Sequence, residues 1–263
     1  MPAAYGLFAA AGCIAGVLWL HAHRERLGVR EGEFWAAMWV LLAGGVVGAK
    51  LLFLWLGWEH YARGELRFWA DFRVGFVFFG GLLGAAAAGA LFAWWRGLSF
   101  WRGADYFAVA LPLGHAIGRL GCWVVGCCHG RDGHPVQLYE AAGLGVIAWS
   151  CAQMVARVEA GAAAHGSAFR LYLGLYGALR LLLDPLRGDG RPERFLGLSH
   201  QQGIALLLIA AALLWSHAAG RRQTGASAKK ELQRRGAETR SPEGEIARSE
   251  CDVHPNGSGF WGS

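Results

Sequence analysis

Read from its N-terminus, the chain alternates long apolar runs with short polar breaks that carry most of its arginines. The runs fall at Tyr5–Leu20, Phe34–Leu56, Phe76–Trp95, Tyr106–Val125, Leu138–Met154, Phe169–Leu183 and Gly203–His217. A helix of about 20 apolar residues crosses a hydrocarbon core of about 30 Å. The pattern therefore predicts an all-α, polytopic membrane protein with about seven transmembrane helices. The first and sixth runs are short for that thickness, which predicts helices that are tilted, interfacial or broken around a cavity. Met1 is followed almost at once by apolar residues, with no basic stretch before them. The first run is thus expected to be a retained helix and not a cleaved signal peptide.

Composition sharpens this picture. Of the 263 residues, 54% are hydrophobic and 17% charged, and the mean hydropathy is +0.29, whereas soluble chains carry roughly 25% charged residues. An ordinary soluble domain is excluded. The 40 glycines are about twice average usage without a collagen-like period, and close packing of helices in lipid accounts for them. From about Ala218 the chain changes character: Arg221, Arg222, Lys229, Lys230, Arg234, Arg235, Arg240 and Arg248 are interleaved with Glu, Ser and Gly, and apolar residues are scarce until Phe260. Such a segment buries too little apolar surface to order itself. The expected organisation is a membrane-embedded domain over 1–217 and a disordered basic tail over 218–263.

The net charge of +6 is spread too thinly for nucleic acid to be a partner. The basic tail favours a cytoplasmic C-terminus, and seven spans then put the N-terminus outside. On that topology the inner loops hold Arg24, Arg26, Arg30, Arg96, Arg102 and Arg157, and the outer side holds Arg63, Arg67, Arg73, Arg119, Arg131, Arg187, Arg191 and Arg194. That outer excess runs against the usual bias, so either the orientation is reversed or those arginines serve a function.

Polar groups at membrane depth are costly and mark function or packing specificity. Three stretches carry them. In HAIGRLGCWVVGCCHGR, His115 to Arg131, Arg119 shares a helical face with His115 and Cys122 between apolar neighbours. An arginine there needs an anion, carbonyls or a water cavity, unless it snorkels to the interface. In HPVQLYE, Pro135 suits a first helical turn, so that Gln137, Tyr139 and Glu140 fall in the first two turns. In YGALRLLLDPLRGD, Arg180 and Asp184 are spaced i,i+4 with Arg187 one further turn on, which permits an ion pair of either structural or functional use. Six cysteines stand at 13, 122, 127, 128, 151 and 251. Cys13 and Cys151 lie in apolar helices and read as small hydrophobes. Cys122, Cys127, Cys128 and His129 form CxxxxCCH, which matches no recognised zinc spacing, and no metal and no cofactor are expected.

Together these stretches resemble the prolipoprotein diacylglyceryl transferase family. GRLGCWVVGCCHGR is similar to the family signature GR(I/L)GNF-x-N-GE-x-x-GR at Gly118, Arg119, Gly121, Gly126, Gly130 and Arg131. HPVQLYE is similar to the family's HPSQLYE, and YGALRLLLDPLRGD to YG-x-x-R-x-x-x-E-x-x-R-x-x-D, with Asp184 for the Glu. LSHQQG resembles S-x-G-Q before the last helix, and AAYGLF resembles WYGL, which nominates Tyr5. The family's FHGG is FFGG here, with Phe79 before Gly80 and Gly81; Cys122 replaces the signature Asn and Cys127 its Glu.

The resemblance implies a bacterial inner-membrane enzyme, with phosphatidylglycerol as donor, the lipobox cysteine of a preprolipoprotein as acceptor, and membrane lipids around it. Arginine offers a planar fork for two phosphate oxygens. Arg119 and Arg180 are accordingly assigned to the phosphodiester, with Asp184 orienting Arg180 and Arg187 as an outer contact. Gly80 and Gly81 would let backbone N–H groups approach the headgroup. Gly130, His134, Gln137, Tyr139 and Glu140 are expected to line the substrate site. His129, His134, Tyr5 or water could take the acceptor thiol's proton. Cys122 and Cys127 are expected to fill space beside Arg119. Two other readings stand beside this one: a lipid-binding paralogue without turnover, favoured by Phe79 and Cys127, and a thiol-redox or metal-handling membrane protein centred on Cys122, Cys127, Cys128 and His129.

Overall fold

The structure is a computed structural model that describes residues 2–64, 76–188, 194–195, 198–199 and 201–215. Its helices are α1 (Pro2–Ala22), α2 (Glu31–Leu56), α3 (Trp58–Ala62), α4 (Phe78–Arg96), α5 (Phe100–Val125), α6 (Val136–Glu159) and α7 (Ser167–Leu183), followed by α8 (Gln201–Trp215). Short 3-10 turns at Arg131–Gly133 and Asp184–Leu186 precede α6 and follow α7. Extended structure among the described residues is confined to Arg194–Phe195 paired antiparallel with Leu198–Ser199 and one bridge between Gly130 and Arg187. The chain divides into two units, Met1–Ala212 and Leu213–Ser263. Of the second, only the last turn of α8 is described, so the disorder expected of 218–263 lies outside the described residues.

Each of the seven apolar runs coincides with a helix. Four of them, α1, α2, α5 and α6, are long and apolar enough to cross a membrane. The first run is not short after all: α1 has 21 residues, because the helix begins at Pro2, ahead of the periodic segment. The sixth is short as expected, α7 having 17 residues.

Beside an apolar core that includes Leu20, Phe34 and Val109, large apolar side chains also cover the outside while charged groups lie within. Leu7, Trp39, Leu51, Trp94 and Leu182 point outward, whereas Asp105, Glu140, Arg180 and Arg187 are buried. In lipid, apolar side chains facing out cost nothing, and ionised groups must find partners inside.

Glycine contacts and buried polar groups hold the helices together. Glycine backbones come into contact at the α2–α4 crossing, where Gly44 and Gly48 of α2 meet Gly80 and Gly84 of α4, and at the α1–α5 crossing, where Gly12 meets Gly114. Removing Cβ lets helix axes approach closely, which is how helices associate where no hydrophobic effect drives them. A second feature is the carboxylate of Asp105 in α5, which accepts the backbone N–H groups of Gly166 (2.6 Å), Ala168 (2.9 Å) and Phe169 (3.0 Å). These are the orphan donors of the α7 N-terminus, capped here from another helix. Gly166 has φ +89°, a conformation that favours glycine. Nearby, Glu159 at the end of α6 accepts from the Tyr106 hydroxyl and pairs with Arg26 at 2.9 Å. Finally, α5 starts on Ser99, whose hydroxyl accepts from the Arg102 N–H, and stops at Gly126 (φ +75°).

Candidate active site

The site is assembled by the facing ends of α5, α6 and α7 and the start of α8. Helix α5 carries His115 and Arg119 at i,i+4, on one face. Pro135 leads α6 out of the preceding turn, so Gln137 and Glu140 occupy its first two turns. The last turn of α7 supplies Arg180, the turn after it Arg187, and the first turn of α8 Gln201.

These side chains converge on the Glu140 carboxylate, which is 1% exposed. Oε1 accepts from Arg180 Nη1 at 2.9 Å and lies 3.1 Å from Arg119 Nη2 and 3.8 Å from His115 Nε2. Oε2 lies 3.5 Å from Arg187 Nη1. Arg180 also donates from Nη2 to Gln201 Oε1 at 3.0 Å. Two guanidiniums thus share one carboxylate oxygen, while each offers five N–H donors. The buried Nε of Arg119 has no acceptor among the described residues. A cluster with cationic donors left over at membrane depth suits an anion bearing several acceptor oxygens, such as a phosphodiester.

Below this cluster, the turn after α5 is held from several sides. The side-chain amide of Gln137 donates to the Cys127 carbonyl at 2.6 Å, the Gly188 N–H to the His129 carbonyl at 3.0 Å, and the Gly130 N–H to the His134 carbonyl at 3.2 Å. Gly130 also pairs with Arg187. A side chain at Gly130 would run into His134 and Val136. Gly130, expected to contact substrate, is used to let two stretches of backbone meet.

Arg119, Arg180, Arg187 and Glu140 are brought together as the sequence suggested, and Gln137 stands beside them through the Cys127 carbonyl. Other expected site residues are placed differently. Among the described residues, Arg180 and Asp184 take different side-chain partners. The α-helix ends at Leu183, Arg180 turns to Glu140 and Gln201, and the Asp184 carboxylate accepts from the Ser199 hydroxyl at 2.7 Å. Gly80 and Gly81 face Gly48 and Gly45 of α2; their missing Cβ atoms serve helix packing. Among the described residues, His129, His134 and Tyr139 are exposed and make no contact with the cluster; His134 instead lies against Tyr139, with ring centroids 6.3 Å apart. Tyr5 is exposed on α1. Arg67, Arg73 and Arg191, named for their sidedness, lie outside the described residues.

Sequence reasoning passed over His115, Tyr176 and Gln201 as site residues. His115 and Tyr176 face each other with ring centroids 6.0 Å apart. The i−4 spacing of His115 from Arg119 was the available signal. Gln201 could not be found by spacing, because its partner Arg180 lies 21 residues away.

Comparison with known proteins identifies the chain's relatives. The family model described as prolipoprotein diacylglyceryl transferase matches residues 3–217. The phosphatidylglycerol–prolipoprotein diacylglyceryl transferase of Clostridium tetani is 26% identical over 225 residues, covering 78% of this chain and 88% of the relative. The protein of the same name from Bacillus cereus is 35% identical over 129 residues, or 49% of this chain and 47% of the relative. Its counterpart in Bacillus anthracis is 34% identical over the same length and shares. A match that runs through all of the apolar helices and takes in every arginine of the buried cluster places this chain in the prolipoprotein diacylglyceryl transferase family.

Proposed function

We propose that the chain catalyses the reaction for which its relatives are named, moving a diacylglyceryl group from phosphatidylglycerol to the lipobox cysteine thiol of a preprolipoprotein. The observation that carries this reading is the pair Arg119 and Arg180 on one oxygen of buried Glu140, with the Arg119 Nε unused. In the reaction, the acceptor sulfur attacks the glycerol carbon that bears the phosphate. An S–C thioether bond forms, the C–O bond breaks with its electrons going to the phosphate oxygen, and glycerol phosphate leaves. The thiol proton must pass to a base. Arg119 and Arg180 hold the phosphodiester oxygens and take up the charge that develops on the leaving group. Glu140 and Gln201 fix the arginines, and Asp184 helps through Ser199, whose backbone N–H donates to Gln202 (3.0 Å) at the start of α8.

The imidazole at the cluster is His115, 3.8 Å from Glu140 Oε1, and not His129 or His134. His115 is therefore the proposed base. Replacing His115 with Gln should lower transfer at least tenfold, whereas His129→Gln should leave it within a factor of two. The opposite ranking would assign the base to the outer turn.

The protein is proposed to reside in the bacterial inner membrane with 1–217 as its embedded domain, its N-terminus outside, and the tail from 218 in the cytoplasm. A second reading, lipid binding without turnover, is favoured by one observation: Phe79, where the family resemblance calls for His, is a partly exposed aromatic at the start of α4. Complementation separates the two. In a strain depleted of its own diacylglyceryl transferase, the chain should restore growth and lipid-modified lipoproteins. Stable insertion with phosphatidylglycerol bound and no modified lipoprotein would support the binding reading instead.

A further inference from the structure

The three cysteines of the CxxxxCC segment stand together in space. The Sγ atoms of Cys122, Cys127 and Cys128 all lie within 4.8 Å of one another, and all three thiols are free. The chain is folded to achieve this. Gly126 (φ +75°) ends α5 in the left-handed region, and Cys128 follows with φ +59°. That conformation is unfavourable for a residue with a side chain, so it needs compensation. Cys127 N–H donates to the Cys122 carbonyl at 3.0 Å, and the Cys127 thiol reaches the same carbonyl at 3.6 Å. Gln137 and Gly188 then hold the turn from outside. One buried thiol from the last turn of α5 and two from the turn beyond it thus face a common point. Thiols that merely filled space would not call for a left-handed cysteine.

We infer that Cys122, Cys127 and Cys128 form a three-thiolate site for a thiophilic divalent cation of filled d shell, the class to which Zn2+ and Cd2+ belong. A metal–sulfur bond of about 2.3 Å places tetrahedral sulfurs about 3.8 Å apart, so sulfurs already within 4.8 Å need only small side-chain rotations. Three thiolates with a fourth position open to water fit this ion class, and soft sulfur ligands discriminate against Mg2+ and Ca2+. Binding releases the thiol protons to solvent and involves no redox step. The ion would close the turn that Gly188 hydrogen-bonds and Arg187 pairs with, bracing the arginine cluster from below. The site concerns binding alone and stands or falls independently of the transferase reading.

The test uses full-length protein purified under reducing conditions, freed of metal, and titrated with Cd2+ and separately with Zn2+. The expected result is one equivalent bound, a thiolate-to-Cd2+ charge-transfer band with the intensity of three thiolates, and protection of Cys122, Cys127 and Cys128 from alkylation. Cys13, Cys151 and Cys251 should label as they do without metal. Changing any one of the three ligands to Ser should weaken binding by roughly 100-fold or more, and Ser at 13, 151 or 251 should not. The protection experiment on the unmutated protein needs no variant to fold. Binding that survives Cys122→Ser, Cys127→Ser and Cys128→Ser together would overturn the assignment. So would the absence of stoichiometric binding by the reduced protein, or a Cys122–Cys127 disulfide in protein taken directly from membranes.

Discussion

Glu140 is the residue on which the site turns. Its carboxylate is buried among Arg119, Arg180 and Arg187, and in that setting it neutralises charges that could not otherwise sit at membrane depth. Converting Glu140 to Gln keeps the shape and removes the charge. Because it leaves guanidiniums without their counter-ion, the change should destabilise the protein by about 3–5 kcal/mol, read as a lowered melting temperature in detergent. An unchanged melting temperature would mean that the arginines find their counter-charge elsewhere. Arg119, Glu140 and Arg180 were legible in the sequence, because an arginine or glutamate inside an apolar run has few explanations, and Arg187 by its place in the motif that follows Arg180. Their pairing was not. Spacing suggested Arg180 with Asp184, and although the backbone keeps helical angles through Asp184, whose N–H donates to the Arg180 carbonyl, the two side chains take other partners. The partner that replaces Asp184 comes from α6, and no local pattern in the chain announces it.

Among the elements, the helices themselves were legible and their contacts were not. Apolar run length located every long helix, since crossing a membrane fixes the length required. Run length missed α3 and the 3-10 turns, which lie in the polar breaks where the pattern carries no signal. The glycine content pointed to close packing without saying which glycines touch. The structure resolves this into two small-residue crossings, α2 on α4 and α1 on α5, with Gly80 and Gly81 in the first of them. A Cβ built on Gly84 would lie 2.8 Å from the Gly48 Cα. The Cβ is fixed to one helix backbone and the Cα it meets belongs to the other, so neither can yield without moving an axis. Gly84→Leu should therefore cost about 1–3 kcal/mol or more and reduce the yield of folded protein, whereas Gly103→Ala, in open space on α5, should be neutral. Equal behaviour of the two variants would argue against a tight α2–α4 crossing.

On α5 and α6, the buried polar groups among the described residues gather toward the two ends. The Asp105, Tyr106 and Glu159 group lies at the start of α5 and the end of α6, and the arginine cluster toward their opposite ends. The proposed orientation puts the first group on the cytoplasmic side and the cluster on the outer side, where a translocated lipoprotein precursor and its lipid donor can both reach it. The outer excess of arginine noted in the loops then includes arginines held for chemistry. Protease added to inverted vesicles should remove the segment after residue 217, and protease added to intact spheroplasts should spare it. The reverse pattern would invert the topology and detach the cluster from the compartment its substrates occupy.

The central claim is that Arg119 and Arg180 clamp a phosphodiester so that a thiol can displace it. The most direct measurement is transfer in a purified system: protein in detergent or nanodiscs, phosphatidylglycerol with a labelled diacylglyceryl group, and a lipobox peptide whose cysteine is followed by mass. The unmutated protein should add one diacylglyceryl group through a thioether and release glycerol phosphate. Arg119→Ala should lose about 10²- to 10³-fold in rate while remaining folded, and Arg119→Lys should recover little of it, because an ammonium cannot reproduce the two-point fork. Near-normal transfer by folded Arg119→Ala would contradict the account.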